Sequence, residues 1–218
     1  MTDAPTTAPT TAPGTQPHAV HALPRGRHGL SRDTVIHSQR SRMLRAMAEA
    51  MAEHGYVGTP VAEIIKRAGV SRETFYQQFS SKQDCFLAAL NDAISDLADA
   101  MAPGLEAPGT TAEKIRDLIG RYLNAVVGDP IAARMFLVES FAAGPEVSER
   151  RAILQRRFID ALAEFIGADT PDGRFACEAF IAGTIAMVTI RVATGDIDSI
   201  PTLLDPLTRL LMRVLEQL

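Results

Sequence analysis

Gly69 and Ser71 constrain this chain more than any other pair of residues. Between Thr59 and Lys82 they divide the run T-P-V-A-E-I-I-K-R-A-G-V-S-R-E-T-F-Y-Q-Q-F-S-S-K into two short helices. Val61, Ile64, Ile65 and Ala68 recur at helical spacing and give the first helix, near 60–67, one apolar face. Thr59 is expected to cap it, with Pro60 in the first turn, where a missing N–H is no loss. Gly69 can take the left-handed conformation that ends a helix. Ser71 is placed to cap a second helix near 72–79. Two short helices joined by a three- or four-residue turn containing Gly make a helix-turn-helix.

The second helix divides its faces. Phe75 and Phe79 are four apart and should pack together on the first helix. Arg72, Glu73, Tyr76 and Gln77 then point elsewhere. Arg and Gln side chains pair bidentately with guanine and adenine edges in the major groove. Arg72 and Gln77 are therefore the expected base contacts, with Ser71 and Thr74 as helpers. Tyr76 faces outward between two buried rings, and its hydroxyl can reach a phosphate.

The segment resembles the DNA-binding domain of the tetracycline-repressor (TetR) family. The resemblance is carried by H-G-Y at 54–56, T-P-V-A-E-I at 59–64, A-G-V-S at 68–71, T-F-Y-Q-Q-F at 74–79 and S-K at 81–82. It covers about residues 30–90; beyond residue 90 the chain is similar to the family only in being helical and of suitable length. The resemblance implies that Thr59, Tyr76 and Lys82 clamp the DNA backbone. It also implies that the rear half dimerises and holds a small-molecule pocket.

Charge is uneven along the 218 residues. Residues 1–90 carry 10 Lys/Arg against 7 Asp/Glu, a surplus of +3, while 91–218 carry 12 against 19, or −7. A basic front half on an acidic chain suits a phosphate-bearing partner bound at one end only. Two cysteines, Cys85 and Cys177, make no disulfide framework; both fall in apolar helical patterns and read as buried thiols. The first 30 residues lack a signal-peptide core. The longest uncharged apolar run, Ala179 to Ile190, is 12 residues, short of a membrane span. A cytoplasmic protein with no membrane partner is expected.

Residues 1–24 are rich in Thr, Ala and Pro and read as a disordered tail. Residues 25–31 form a basic segment with Arg25, Arg27 and His28. It reads either as a solvated linker or as an arm touching phosphates or the minor groove. Residues 32–80 are expected to form the head. Its first helix spans about Arg32 to His54 and ends at Gly55. Arg40, Arg42 and Arg45 on that helix are expected mainly to keep its surface soluble. Residues 81–218 are expected to form a helical regulatory and dimerisation domain. A capping box at Ser81–Asp84 opens its long first helix, which Pro103 and Gly104 end. Further helices follow over about 111–127, from Pro130 through Phe141, 146–166, from Pro171 to Thr194, and to the end. The fold class is all-α: a three-helix head joined by a long helix to a helical domain.

No catalytic motif is present. Gly69-Val70-Ser71 opens like a nucleophile elbow but continues Arg72-Glu73, without the second glycine. The five histidines, His18, His21, His28, His37 and His54, make no zinc spacing. No enzyme activity, cofactor or metal site is expected. Met135, Phe136, Phe141, Phe158 and Met187 are candidate pocket residues, and each also reads as ordinary core. Glu139 and Arg191, within largely apolar helices, are candidate anchors for a polar ligand group. The lack of a charge cluster points to an uncharged or weakly polar ligand. The last two helices, rich in small residues and leucine, are the expected dimer surface.

The expected function is that of a ligand-responsive DNA-binding regulator, a homodimeric repressor released from a near-palindromic operator by a small, largely apolar molecule. The alternative is a helical ligand-binding or adaptor protein whose head is not used on DNA.

Overall fold

The computed structural model describes residues 31–216. The Thr/Ala/Pro-rich tail and the arm residues Arg25, Arg27 and His28 lie outside the described residues. The rest is helical throughout, and no strand occurs among the described residues. The helices are α1 (Arg32–Gly58), α2 (Val61–Ala68), α3 (Arg72–Gln78), α4 (Lys82–Glu106), α5 (Thr111–Gly128) and α6 (Pro130–Leu137). A 3-10 turn, Glu139–Ala142, leads to α7 (Pro145–Ile166) and α8 (Pro171–Thr194). A second, Ile197–Leu203, leads to α9 (Leu204–Leu215).

Several boundaries differ from the sequence reading. Helical geometry in α1 breaks at Gly55 (φ 69°), as expected, although a further turn follows to Gly58. Helix α4 does not stop at Pro103 but runs on to Glu106. A proline this near the helix end forfeits only one ladder bond. Buried Gly104 also packs against the Asp117 and Arg121 side chains of α5, which hold the last turn down. At the start of α4 only half a capping box forms. Ser81 accepts from the Asp84 N–H, but the Asp84 carboxylate turns to the Ser80 N–H (2.8 Å) instead of to Ser81. The complete reciprocal box is at Thr110–Glu113, opening α5. The helix from Pro130 ends at Leu137, so Phe141 lies on the 3-10 turn that follows.

Two large apolar cores result, with a small third cluster of Ala163, Ala168 and Cys177 between α7 and α8. The front core joins Met43, Met47 and Met51 of α1 to Ile64, Phe75, Phe79, Phe86 and Leu90, and reaches back to Met135 and Val147. The rear core joins Ile115, Ile119 and Leu123 of α5 to Phe180, Val188 and Val192 of α8, and to Leu203, Leu207 and Leu211. Phe136, half-buried on α6, packs against both. Burying a side chain the size of Phe75 contributes about 1.5–3 kcal/mol.

The α1 arginines do more than solubilise. Arg42 Nη1 donates to the Ala68 carbonyl (2.8 Å), one of the open acceptors at the end of α2. The Arg40 guanidinium lies 4.7 Å from the centre of the Phe79 ring. Arg45 pairs with Glu49 and with Asp129 at the foot of α6. Arg67 of α2 bridges Glu53 of α1 and Glu63 of its own helix. The Arg42 and Arg67 contacts fix α2 against the long first helix, Arg40 holds the end of α3 to it, and Arg45 ties it to the start of α6.

Candidate nucleic-acid interface and ligand cavity

Helix α3 follows from its first residue. Gly69, left-handed at φ 62° and ψ 41°, ends α2. Ser71 then caps α3, its Oγ accepting from the Thr74 N–H at 3.0 Å. Phe75 and Phe79 are fully buried, with ring centres 5.5 Å apart. That anchoring leaves Arg72, Glu73, Tyr76 and Gln77 exposed on the outer side of the seven-residue helix. The Arg72 guanidinium lies 5.3 Å from the centre of the Tyr76 ring. Gln77 Nε2 donates to Glu73 Oε1 at 3.2 Å, so Glu73 orients Gln77 in the free protein. The Ser71 and Thr74 hydroxyls are 2.8 Å apart, which engages both helper residues with each other and with the cap.

The three residues expected at phosphates differ in their setting. Tyr76 is exposed, braced edge-on by Phe75. Lys82 lies in the first turn of α4, half-buried; its Nζ donates to the Tyr56 carbonyl at 2.7 Å and sits 4.1 Å from the centre of the Tyr56 ring. A cation at a helix N-terminus opposes the helix dipole. The carbonyl and the ring offset that, and two ammonium N–H groups remain for an anion. Burial pulls the Lys82 pKa below the usual lysine value. Thr59 departs from expectation on both counts. Pro60 occupies the cap position of α2, and Thr59 is fully buried with its Oγ1 donating to the Gly55 carbonyl at 2.8 Å. Its hydroxyl closes the α1–α2 turn and faces no solvent from which a phosphate could approach.

Behind the head, α4, α5, α7 and α8 enclose an apolar cavity of about 310 Å³. Phe136 and Phe158, two of the expected pocket residues, line it. The other five lie elsewhere. Met135 is buried in the front core. Phe141 is 68% exposed beneath the Arg151 guanidinium. Met187 packs against the rear core. Arg191 turns back to Ser199 Oγ and the Met187 carbonyl. Glu139 bridges the two halves: one oxygen accepts from the Tyr56 N–H at 2.9 Å, and the other lies 3.6 Å from Arg134 Nε. Each of these residues has a periodicity that suits a pocket and a core equally well.

The polar residues on the cavity wall were not among those expected there. Tyr122 of α5 and Thr184 of α8 belong to it, and their buried hydroxyls have no hydrogen-bond partner among the described residues. Burial pushes the Tyr122 phenol well above its ordinary pKa. Arg151 and Gln155 of α7 complete the polar set. A sequence signal for Arg151 existed: it precedes Leu154, Phe158, Leu162 and Phe165 at helical spacing, a charge on the inward stripe of α7.

Helix α8 presents a second apolar face. Cys177, Phe180, Thr184, Val188 and Val192 are buried, while Phe175 (70% exposed), Ala179, Ala182, Ala186 and Ile190 (62%) form an outward stripe. Half-exposed Leu210 on α9 adds to the apolar surface of this end of the chain. By length and composition alone α8 could cross a bilayer, but Phe180, Val188 and Val192 of its inner stripe pack into the rear core and Cys177 packs with Ala163 and Ala168. Both cysteines are buried free thiols, and burial pushes Cys85 up to about 12.

Residues 43–89 match the family of bacterial regulatory proteins, tetR family. Among relatives, the HTH-type transcriptional regulator YezE of Bacillus subtilis is 30% identical over 98 residues, 45% of this chain and 50% of that protein. The HTH-type transcriptional activator FasR of Mycolicibacterium smegmatis is 25% identical over 132 residues, 61% of this chain and 60% of its own length. The chain thus spans only about half to three fifths of these curated relatives. Among solved structures, the regulator FadR from Bacillus subtilis, in complex with stearoyl-CoA, superposes with a TM-score of 0.70 at 23% identity, covering 78% of this chain and 96% of that one. That likeness extends the shared fold through the rear helices, and the match over 43–89 falls on the elements that hold Phe75 and Phe79 inward and Arg72 and Gln77 outward. The head of this chain, over residues 43–89, thus matches the tetR family of bacterial regulatory proteins, and the rest of the described chain shares the all-helical fold of that solved structure.

Proposed function

We propose that this protein is a homodimeric DNA-binding regulator of transcription, acting in the cytoplasm as a repressor that a small molecule releases from its operator. The outward row Arg72, Tyr76 and Gln77, set on the fully buried Phe75–Phe79 pair, carries the reading. In it Arg72 and Gln77 read base edges, Ser71 and Thr74 support them, and Tyr76 and Lys82 hold phosphates. Arg25 and Arg27 add contacts from the arm. Residues 32–80 bind DNA, and 81–218 sense the effector and dimerise.

One recognition helix of seven residues makes too small an interface for tight specific binding. The outward stripe of α8, with α9, supplies the surface on which two copies pair, and two-fold pairing matches a near-palindromic operator. The apolar cavity supplies the effector site, and the stearoyl-CoA held by FadR supports a long apolar effector. The relatives are regulators, not enzymes, and no catalytic step enters this reading.

The test is fluorescence anisotropy of the full chain on DNA upstream of its own coding region, across a salt series. Tight binding with a steep salt dependence is expected. Binding no tighter than to unrelated DNA would favour the adaptor reading, in which the head is not used on DNA. An effector that binds tightly yet leaves operator affinity unchanged would remove the release step, because the coupling must be reciprocal.

A further inference from the structure

We propose that the cavity receives an apolar chain ending in an anionic group, and that Arg151 is the residue that anchors the anion. The inference rests on the reading of this cavity as the effector site. It departs from the uncharged ligand that the sequence alone suggests.

Arg151 is the one arginine or lysine on the cavity wall, and among the described residues no carboxylate lies within ion-pair distance of it. Among the described residues its one hydrogen bond runs from Nη1 to Ser140 Oγ, whose own proton goes to the Phe136 carbonyl. The guanidinium is held against two rings, 3.9 Å from the centre of Phe141 and 5.6 Å from that of Phe136. The rings and the serine fix its position without neutralising it. Burial accordingly lowers its pKa, the mark of a charge short of compensation. A guanidinium has five N–H donors in a planar fork that matches a carboxylate or phosphate. With one donor on Ser140, the others are available to a bidentate anion.

The remainder of the wall states what the anion must be attached to. From Arg151 the inner stripe of α7 continues through Leu154, Phe158 and Leu162, all at the cavity. A small inorganic anion would leave that apolar length unfilled. Tyr122 and Thr184, two other residues of the wall, also carry buried hydroxyls without a partner among the described residues. Buried polar atoms are rarely left without a partner.

The experiment is isothermal titration of the full chain with dodecanoate, dodecyl phosphate, dodecanol and dodecyltrimethylammonium, each below its micelle concentration. At least one anion should bind about ten- to a hundredfold tighter than the alcohol, the value of one or more hydrogen bonds to a charged group. Comparing the two anions tells a carboxylate site from a phosphate site. Arg151→Met should keep alcohol binding and lose the preference for anions; Arg151→Lys should recover part of it. Equal binding of acid and alcohol, or tighter binding of the cation, in the unmodified protein would overturn the proposal without any variant. A preference that survives Arg151→Met would remove Arg151 as the anchor. Binding of none of the four would instead refute the effector-site reading, and this inference with it.

Discussion

The head and the cavity wall are made of similar residues and differ in what is left over. In the head, the Thr59 hydroxyl, the Ser71 cap and the Lys82 ammonium each reach a backbone partner. Around the cavity, the Tyr122 and Thr184 hydroxyls reach none, and Arg151 has no counter-charge among the described residues. The head is closed by these backbone contacts, although Arg42 Nε is buried without a partner among the described residues, and its outer surface presents Arg72, Tyr76 and Gln77. The cavity wall, in the proposed reading, is completed by the effector. The two halves meet at Glu139, whose carboxylate on the 3-10 turn holds the Tyr56 N–H beside the break at Gly55.

The contrast can be broken most forcefully in the cores. Phe75→Ala should destabilise the protein by about 3–5 kcal/mol, because it empties a site packed on every side. Phe158→Ala should cost clearly less, since that ring already borders open volume. Urea denaturation midpoints compare them; equal losses would mean that the cavity wall is as tightly packed as the head.

The outer surface of the head is tested next. Gln77→Ala should relax preference at one position per half-site, by about 1–3 kcal/mol of discrimination. A randomised-operator selection that returns an unchanged consensus would remove Gln77 as a reader. Its hydrogen bond to Glu73 sharpens the case, because Glu73→Ala should alter the same position by freeing the amide.

Lys82→Ala should weaken binding to all sequences and lower the salt slope by about one unit. The half-buried ammonium adds a pH dependence. Its pKa is lower folded than unfolded, so within that window the unfolded chain binds more protons and stability rises with pH. DNA affinity should fall over the same window as the charge is lost. Affinity that holds until the ordinary lysine range would place the phosphate contact elsewhere.

The smallest effect expected is the most telling about the cavity side. Tyr122→Phe removes a hydroxyl that has no partner among the described residues, and stability should stay within about 1 kcal/mol of the parent or improve. A larger loss in thermal unfolding would mean that the hydroxyl is already satisfied.

Legibility in the sequence followed the same divide. The head could be read because its constraints are local: Gly69 and Ser71 punctuate, and Phe75 and Phe79 repeat at one turn. Thr59 misled because a threonine before Pro60 looks like a cap, while its hydroxyl is taken by Gly55 one turn back. Pro103 misled because packing on α5 outweighs one lost backbone bond. In the rear half, Met135, Phe141 and Met187 have the spacing of Phe136 and Phe158, and only tertiary placement separates wall from core. Arg151 could have been found as the one charge on the inner stripe of α7, whereas the unpaired state of Tyr122 and Thr184 appears only once the helices are assembled.

Phe136 is common to both cores and to the cavity lining. For anyone exchanging parts between proteins of this architecture, that single ring marks the seam. Walls built from α5, α7 and α8 can be redrawn toward a new guest while the front core keeps its packing, provided the ring at this position stays. A graft that changes it disturbs both sides of the join at once, so a library that diversifies the sensor should hold Phe136 fixed and vary Leu154, Phe158 and Ile181 around it.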